Sequence, residues 1–170
     1  AVMLLANAVA TGAALYFLIV SISDISGAHF NPFVTLAMYL SKKIKSQLLP
    51  VYFTAQILGC LTGVMLANFF FDYSLIELSS KSRSGINVFV SEIIATFGLI
   101  FIIFRTIKGG KVLVATSVAT FITAGYWFTS STSFANPAVA IARTFTNTFT
   151  GINYLNTVSY THLRAHETAI

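Results

Sequence analysis

The chain has 170 residues, of which 56% are hydrophobic and 9% charged, with a formal net charge of +5. A soluble domain carries about a quarter charged residues, so this composition excludes an ordinary soluble fold and indicates one integral membrane domain. The basic residues lie in short connectors and not in a stripe, which excludes a nucleic-acid partner, and the single cysteine, Cys60, excludes an internal disulfide or a cysteine-based zinc site.

Residues 1–23 carry no charge. At about 1.5 Å per residue they just cross a hydrocarbon core of about 30 Å. Gly12, with Ala10 and Ala13, gives this span a small face. Residues 25–40 follow Asp24, contain His29 and Pro32, and are short for a crossing. Such a segment is expected to be re-entrant, entering the membrane and leaving on the same side, with its backbone buried by protein or reached by water. Residues 46–71 form a second uncharged span with Gly59 and Gly63 in a GxxxG spacing. The connector 72–83 is mixed in sign and is expected to be external. A third span, 84–104, is interrupted only by Glu92. The uncharged stretch 112–142 is too long for one untilted crossing; Pro137 and the polar run at 129–133 divide it into a span at 112–128 and a short helix at 137–145. Tyr126 and Trp127, near a span end, read as interfacial anchors.

The basic residues fix the orientation. Lys42, Lys43 and Lys45 precede the second span, and Arg105, Lys108 and Lys111 lie between the third and fourth. Both clusters fall on one side only if the segment after Asn31 is re-entrant, and the positive-inside rule prefers that arrangement. The first residues show no signal-peptide pattern. The chain begins inside an apolar run without an initiator methionine, so a piece of a longer protein is expected.

Two segments repeat. "SGAHFNPFVTLA" occupies 26–37 and "STSFANPAVAIA" occupies 131–142, in register at Asn31 and Asn136. Proline at the first helical position loses no hydrogen bond and presets φ, and asparagine just before it can satisfy free amides. Each Asn-Pro pair therefore reads as the start of a short helix. Two such starts in corresponding halves mark an inverted repeat with a site at the bilayer midplane. The asparagine amides can turn toward a lumen, donate to a solute oxygen and help repel cations.

These motifs resemble the paired NPA motifs of the aquaporin, or major intrinsic protein, family; "AQILG" at 55–59 and "SEIIATFGLIF" at 91–101 resemble two of its spans. The resemblance implies an all-α membrane protein: an aquaporin-like inverted-repeat helical bundle with two re-entrant half-helices, here partial, with about four full spans over residues 1–157. It implies pore motifs at Asn31, Pro32 and Phe33 and at Asn136, Pro137 and Ala138. Carbonyl ladders are implied at Gly27, Ala28, His29 and Phe30 and at Thr132, Ser133, Phe134 and Ala135, with Glu92 holding the second loop. It also implies a passive channel with no catalytic step, metal or cofactor, embedded in a lipid bilayer and forming a homotetramer at full length. The expected location is a bacterial inner membrane.

Counting from the asparagines places the outer constriction at Thr11, Ala124, Ser133 and Val139. The family's usual arginine after the second motif is replaced by Val139, and Phe33 replaces the alanine of the first motif. The small side chains imply a wider passage, as in an arsenic-resistance-associated bacterial subgroup. The expected solutes are small and neutral: metalloid hydroxides such as arsenous acid, glycerol-like molecules and water. An ordinary water or glycerol channel is the alternative, and an ion-coupled transporter using Asp24, Glu92 and His29 a further one. Arg143 has two readings, a charge at the mouth or a side chain reaching the interface. Residues 158–170 resemble a non-native tail, which discounts His162 and His166 as a metal pair.

Overall fold

The computed structural model describes residues 1–129 and 134–155, and among these every regular element is helical. In chain order they are α1 (Val2–Ser26), α2 (Pro32–Leu40), α3 (Leu49–Phe70), α4 (Ile86–Thr106), α5 (Lys111–Phe128) and α6 (Pro137–Ala142), the last followed by a tight turn, Arg143–Phe145. Among the described residues four helical segments are long and apolar enough to cross a membrane: Val2–Ser26, Ser46–Phe70, Ile86–Gly109 and Lys111–Phe128. The suspected tail, with His162 and His166, lies outside the described residues, as do Thr132 and Ser133.

α1 runs three residues past its expected end. It stops at Gly27, whose φ of 72° is left-handed and whose N–H donates to the Ser23 carbonyl. Glycine takes this conformation without a Cβ clash, so the cap and not the charge of Asp24 ends the helix. Asp24 thereby sits in the last turn and pairs with Lys111 at the start of α5. Both side chains are well exposed, so the pair adds little stability. It does report direction: α1 and α5 run antiparallel, and their contact is the most extensive between helices.

The two helices meet closely because Gly12 has no side chain. A Cβ there would overlap Thr123 Oγ1 and lie 3.2 Å from the Ala119 carbonyl oxygen. Ala8 and Gly12 are buried on this contact, while Ala10 and Ala13 are exposed. Gly59 and Gly63 have no heavy atom within 4 Å of a built Cβ, so their spacing mediates no contact between described residues. Asn68 is the one buried residue of α3, so much of this helix is left to lipid or neighbouring protein.

The end of α1 meets the start of α3, through the Tyr52 hydroxyl and the Ser26 carbonyl, and the start of α5, through Asp24 and Lys111. The two basic connectors therefore share a side, and α2 returns to the side it came from. The opposite side of the fold is tied together by a polar knot. Glu77 and Ser79 donate backbone N–H groups to the carbonyls of Phe145 (3.2 Å) and Thr144 (2.9 Å), and Asn153 donates to Lys81 (2.8 Å). Asn68, 3% exposed, donates to the carbonyls of Leu75 and Phe145 and accepts from the Thr146 hydroxyl at 2.8 Å. Connector 72–83 thus ties down the segment that follows α6.

Gly12→Ala forces Thr123 off its present position or separates α1 from α5. Overpacking of this kind costs about 1–3 kcal/mol. The expected result is a lower thermal midpoint for the full-length protein in detergent; an unchanged midpoint would refute the close contact.

Candidate functional site

The repeated motifs meet. Asn31 Nδ2 donates to the Ala135 carbonyl at 2.7 Å, and Asn136 Nδ2 donates to the Phe30 carbonyl at 2.8 Å. Each carboxamide oxygen caps its own short helix. Asn31 Oδ1 accepts from the Phe33 N–H at 2.9 Å; Asn136 Oδ1 accepts from Ala138 at 3.1 Å and Val139 at 3.4 Å. Pro32 and Pro137 occupy the first helical position, where no amide hydrogen is needed. A carboxamide has two N–H hydrogens. One from each asparagine crosses to the other motif, which leaves one from each beside the cavity that both residues line.

The loops leading into the asparagines are bent to match. Phe30 (φ 46°) and Ala135 (φ 38°), the residues just before them, are both left-handed, as is Ala28 (φ 49°). Non-glycine residues hold this conformation at a cost of about 1–3 kcal/mol each, so the surroundings must impose it. For the second loop, the imposing group is Glu92. Its carboxylate accepts from the backbone N–H of Phe134 at 3.1 Å and of Ala135 at 2.6 Å. For the first loop, α3 supplies the brace. The Tyr52 hydroxyl donates to the Ser26 carbonyl at 2.6 Å and its ring stacks on His29 at 5.1 Å. Gln56 donates to the Thr35 hydroxyl at 2.9 Å, which itself donates to the Asn31 carbonyl at 3.2 Å. Tyr52 and Gln56 escape the sequence reading, although polar side chains at membrane depth are a signal in themselves.

One cavity of about 620 Å3 passes this junction. Its wall follows one face of α1 through Thr11, Leu15, Ile19 and Ser23, and one face of α5 through Tyr126, Ile122, Val118 and Val114. Asn31 and Asn136 flank its middle, together with Gly27, Ala28, His29 and Phe30 from one loop and Phe134 and Ala135 from the other. The carbonyls of Phe30 and Ala135 serve first as acceptors for the opposite asparagine. A carbonyl keeps a second lone pair, so a solute can share them.

Of the expected constriction, Thr11 and Val139 line the cavity and Ser133 lies outside the described residues. Ala124 requires correction: it is exposed and absent from the cavity wall, and Tyr126 stands there instead. Tyr126 is 3% exposed, so it is no interfacial anchor; the neighbouring Trp127, 53% exposed, faces outward. Successive helical residues point about 100° apart, and a two-residue miscount exchanges wall for exterior. The Tyr126 hydroxyl lies 3.1 Å from Thr11 Oγ1 and accepts from Arg143 Nη2 at 3.3 Å. Arg143 thus joins the cavity wall and does not reach for an interface. Phe33 is half-exposed and turned away from the cavity, into a separate hollow of about 330 Å3 with Phe89, Phe97 and Pro137.

The family described as Major intrinsic protein matches residues 1–161. Over 152 residues the chain is 46% identical to the protein named aquaglyceroporin AqpS of Rhizobium meliloti (strain 1021), covering 89% of this chain and 65% of that one. It is 38% identical over 101 residues to aquaporin NIP3-1 of Arabidopsis thaliana, covering 54% and 31% respectively. With the probable aquaporin TIP2-2 of Oryza sativa subsp. japonica it shares 33% identity over 111 residues, 64% of this chain and 44% of the relative. The chain therefore spans less than two thirds of the length of these relatives.

Glu92→Gln sets an amide in place of two carboxylate oxygens that both accept from backbone. One of the Phe134 and Ala135 N–H groups then faces an NH2 group, and an unsatisfied buried donor costs about 1–3 kcal/mol. The expected outcome is a thermal midpoint several degrees lower and a matching loss of solute flux from the full-length protein. Wild-type values for both would remove Glu92 as the brace.

Proposed function

The chain belongs to the major intrinsic protein family, and from that premise we propose that it carries the conducting core of a passive channel for small uncharged solutes. The observation that carries this reading is the single cavity running from Arg143 and Thr11 to Lys43 and Lys111, with the crossed asparagines at its middle. Donors and acceptors on its wall replace part of a solute's hydration, and the rest of the wall is aliphatic. A neutral molecule carrying hydroxyl groups matches both surfaces; an ion loses too much hydration.

The solute class we favour is the polyhydroxylated neutral molecule wider than water, glycerol or a metalloid hydroxide such as arsenous acid. Val139 supports this, because it puts a small apolar side chain on the wall one turn into α6. The name aquaglyceroporin borne by the Rhizobium meliloti relative is consistent with glycerol passage. Against an ion-coupled transporter, the Glu92 carboxylate is engaged with backbone amides of the second loop and Asp24 is paired with Lys111. Placement in a bacterial inner membrane and assembly as a homotetramer complete the proposal.

The test is solute flux in proteoliposomes holding the full-length protein, with arsenite, glycerol and water compared by stopped flow. Arsenite and glycerol passing down their gradients, with or without a proton gradient, is the expected result. Flux that collapses with the proton gradient would reject the passive reading, and fast water with both larger solutes excluded would reject the wide passage. Val139→Arg places a long cationic side chain on the same wall. Glycerol and arsenite flux should fall about tenfold or more, equivalent to about 1.4 kcal/mol at the barrier, with water affected far less.

A further inference from the structure

Val139 offers the passage neither charge nor donor, yet its level of the cavity is not without a cation. Arg143 begins the turn one helical step beyond it. Helical side chains lean toward the helix N-terminus and cover the turn before their own Cα. Arg143 reaches back in this way, and its guanidinium carbon lies 5.0 Å from the centre of the Phe134 ring. Nη2 donates to the Tyr126 hydroxyl at 3.3 Å, and that hydroxyl is 3.1 Å from Thr11 Oγ1. One residue from α1, one from α5 and one from the turn after α6 therefore converge at one end of the cavity. Nη1 is buried with no hydrogen-bond partner, and no carboxylate pairs with Arg143 among the described residues. Among the described residues Asp24 is the one carboxylate lining the cavity, and it lies at the other end, against Lys111. The guanidinium charge is thus held in place without being neutralised.

We propose that Arg143 is the specificity-determining residue of this passage, held by Tyr126 and Phe134, and that it excludes small cations while Val139 leaves the bore wide enough for neutral polyhydroxylated solutes. The inference rests on the channel reading above. A fixed positive charge beside a narrow low-dielectric passage repels a partly dehydrated cation far more strongly than it would in water. A neutral hydroxyl-bearing solute meets no such barrier and can accept a hydrogen bond from the guanidinium or exchange one with the Tyr126 hydroxyl. Tyr126 is a positioning residue, because its hydroxyl fixes where the charge stands. The Phe134 ring contributes by stacking, and Arg83 approaches the same ring at 5.6 Å.

The experiment measures methylammonium and glycerol flux in proteoliposomes of the full-length protein, for wild type and for Arg143→Gln, Arg143→Lys and Tyr126→Phe. Glutamine keeps length and hydrogen bonding but removes the charge, so the methylammonium-to-glycerol flux ratio should rise on the order of tenfold. Lysine keeps the charge and should hold that ratio near the wild-type value. Tyr126→Phe, which removes one hydroxyl only, should give an intermediate ratio, with a lowered thermal midpoint from the donor it leaves unsatisfied. A wild-type ratio in Arg143→Gln, with glycerol still conducted, overturns this inference and leaves the channel reading intact. A wild-type protein that conducts neither glycerol nor arsenite overturns both. If Arg143→Gln does not fold, the Tyr126→Phe ratio decides: unchanged selectivity there refutes the proposal.

Discussion

Two short helices that begin inside a membrane expose their first amide groups where no lipid can satisfy them. The crossed asparagine bonds resolve this at one junction. Each carboxamide oxygen caps the helix it precedes, and each carboxamide nitrogen ties the loop of the other motif. Neither motif is complete alone, because the carbonyls of Phe30 and Ala135 are presented by left-handed residues that find their partners only across the junction. The backbone conformation, the caps and the polar wall of the cavity all depend on this exchange.

The bundle around the junction serves to hold it. α4 contributes Glu92 to the second loop, and α3 contributes Tyr52 and Gln56 to the first. Both loops are therefore braced from a full-length helix by polar side chains that would otherwise be costly at this depth. Gly12 lets α1 approach α5, and that pair forms the aliphatic side of the passage opposite the loops. At the end away from the lysines, the Asn68–Thr146 bond and the pairing of 77–79 with 144–145 fix the chain leaving α6. Arg143 sits directly before this anchored segment, which explains how a long side chain keeps a defined place.

The features legible in the sequence were those with local causes. Asn-Pro marks a capped helix start whatever surrounds it, and Glu92 stands out as the lone acid of its span. The charge clusters predicted a returning α2, and the end of α1 meeting the starts of both α3 and α5 shows why: only that path puts both connectors on one side. The features that escaped depend on phase and packing. Counting back from Asn136 crosses a loop whose path the count cannot contain, and it reached Ala124 instead of Tyr126. Tyr126 and Trp127 look alike as aromatic neighbours near a span end, yet one turns to Thr11 and the other outward. The reach of Arg143 back over Phe134 could be named as one of two options but not chosen, since the choice rests on a ring contact between residues nine positions apart.

The distribution of charge along the cavity follows from these placements and bears on what can pass. One end carries Arg143, the middle carries amide donors, and the other end carries Lys43 and Lys111, with Asp24 offsetting one of them. A cation moving through would meet Arg143 at one end, Lys43 and Lys111 at the other and N–H groups at the centre, with carbonyls, hydroxyls and Asp24 as its favourable contacts. An anion would find donors, but also the long aliphatic faces of α1 and α5, where it could replace little of its hydration. The wall that the proposed neutral, hydroxyl-bearing solute would meet combines carbonyls and amide donors with the aliphatic Leu15, Ile19, Val118 and Ile122. On the proposed reading, selectivity for uncharged molecules is a property of the whole wall, with Arg143 as the charged group at one end.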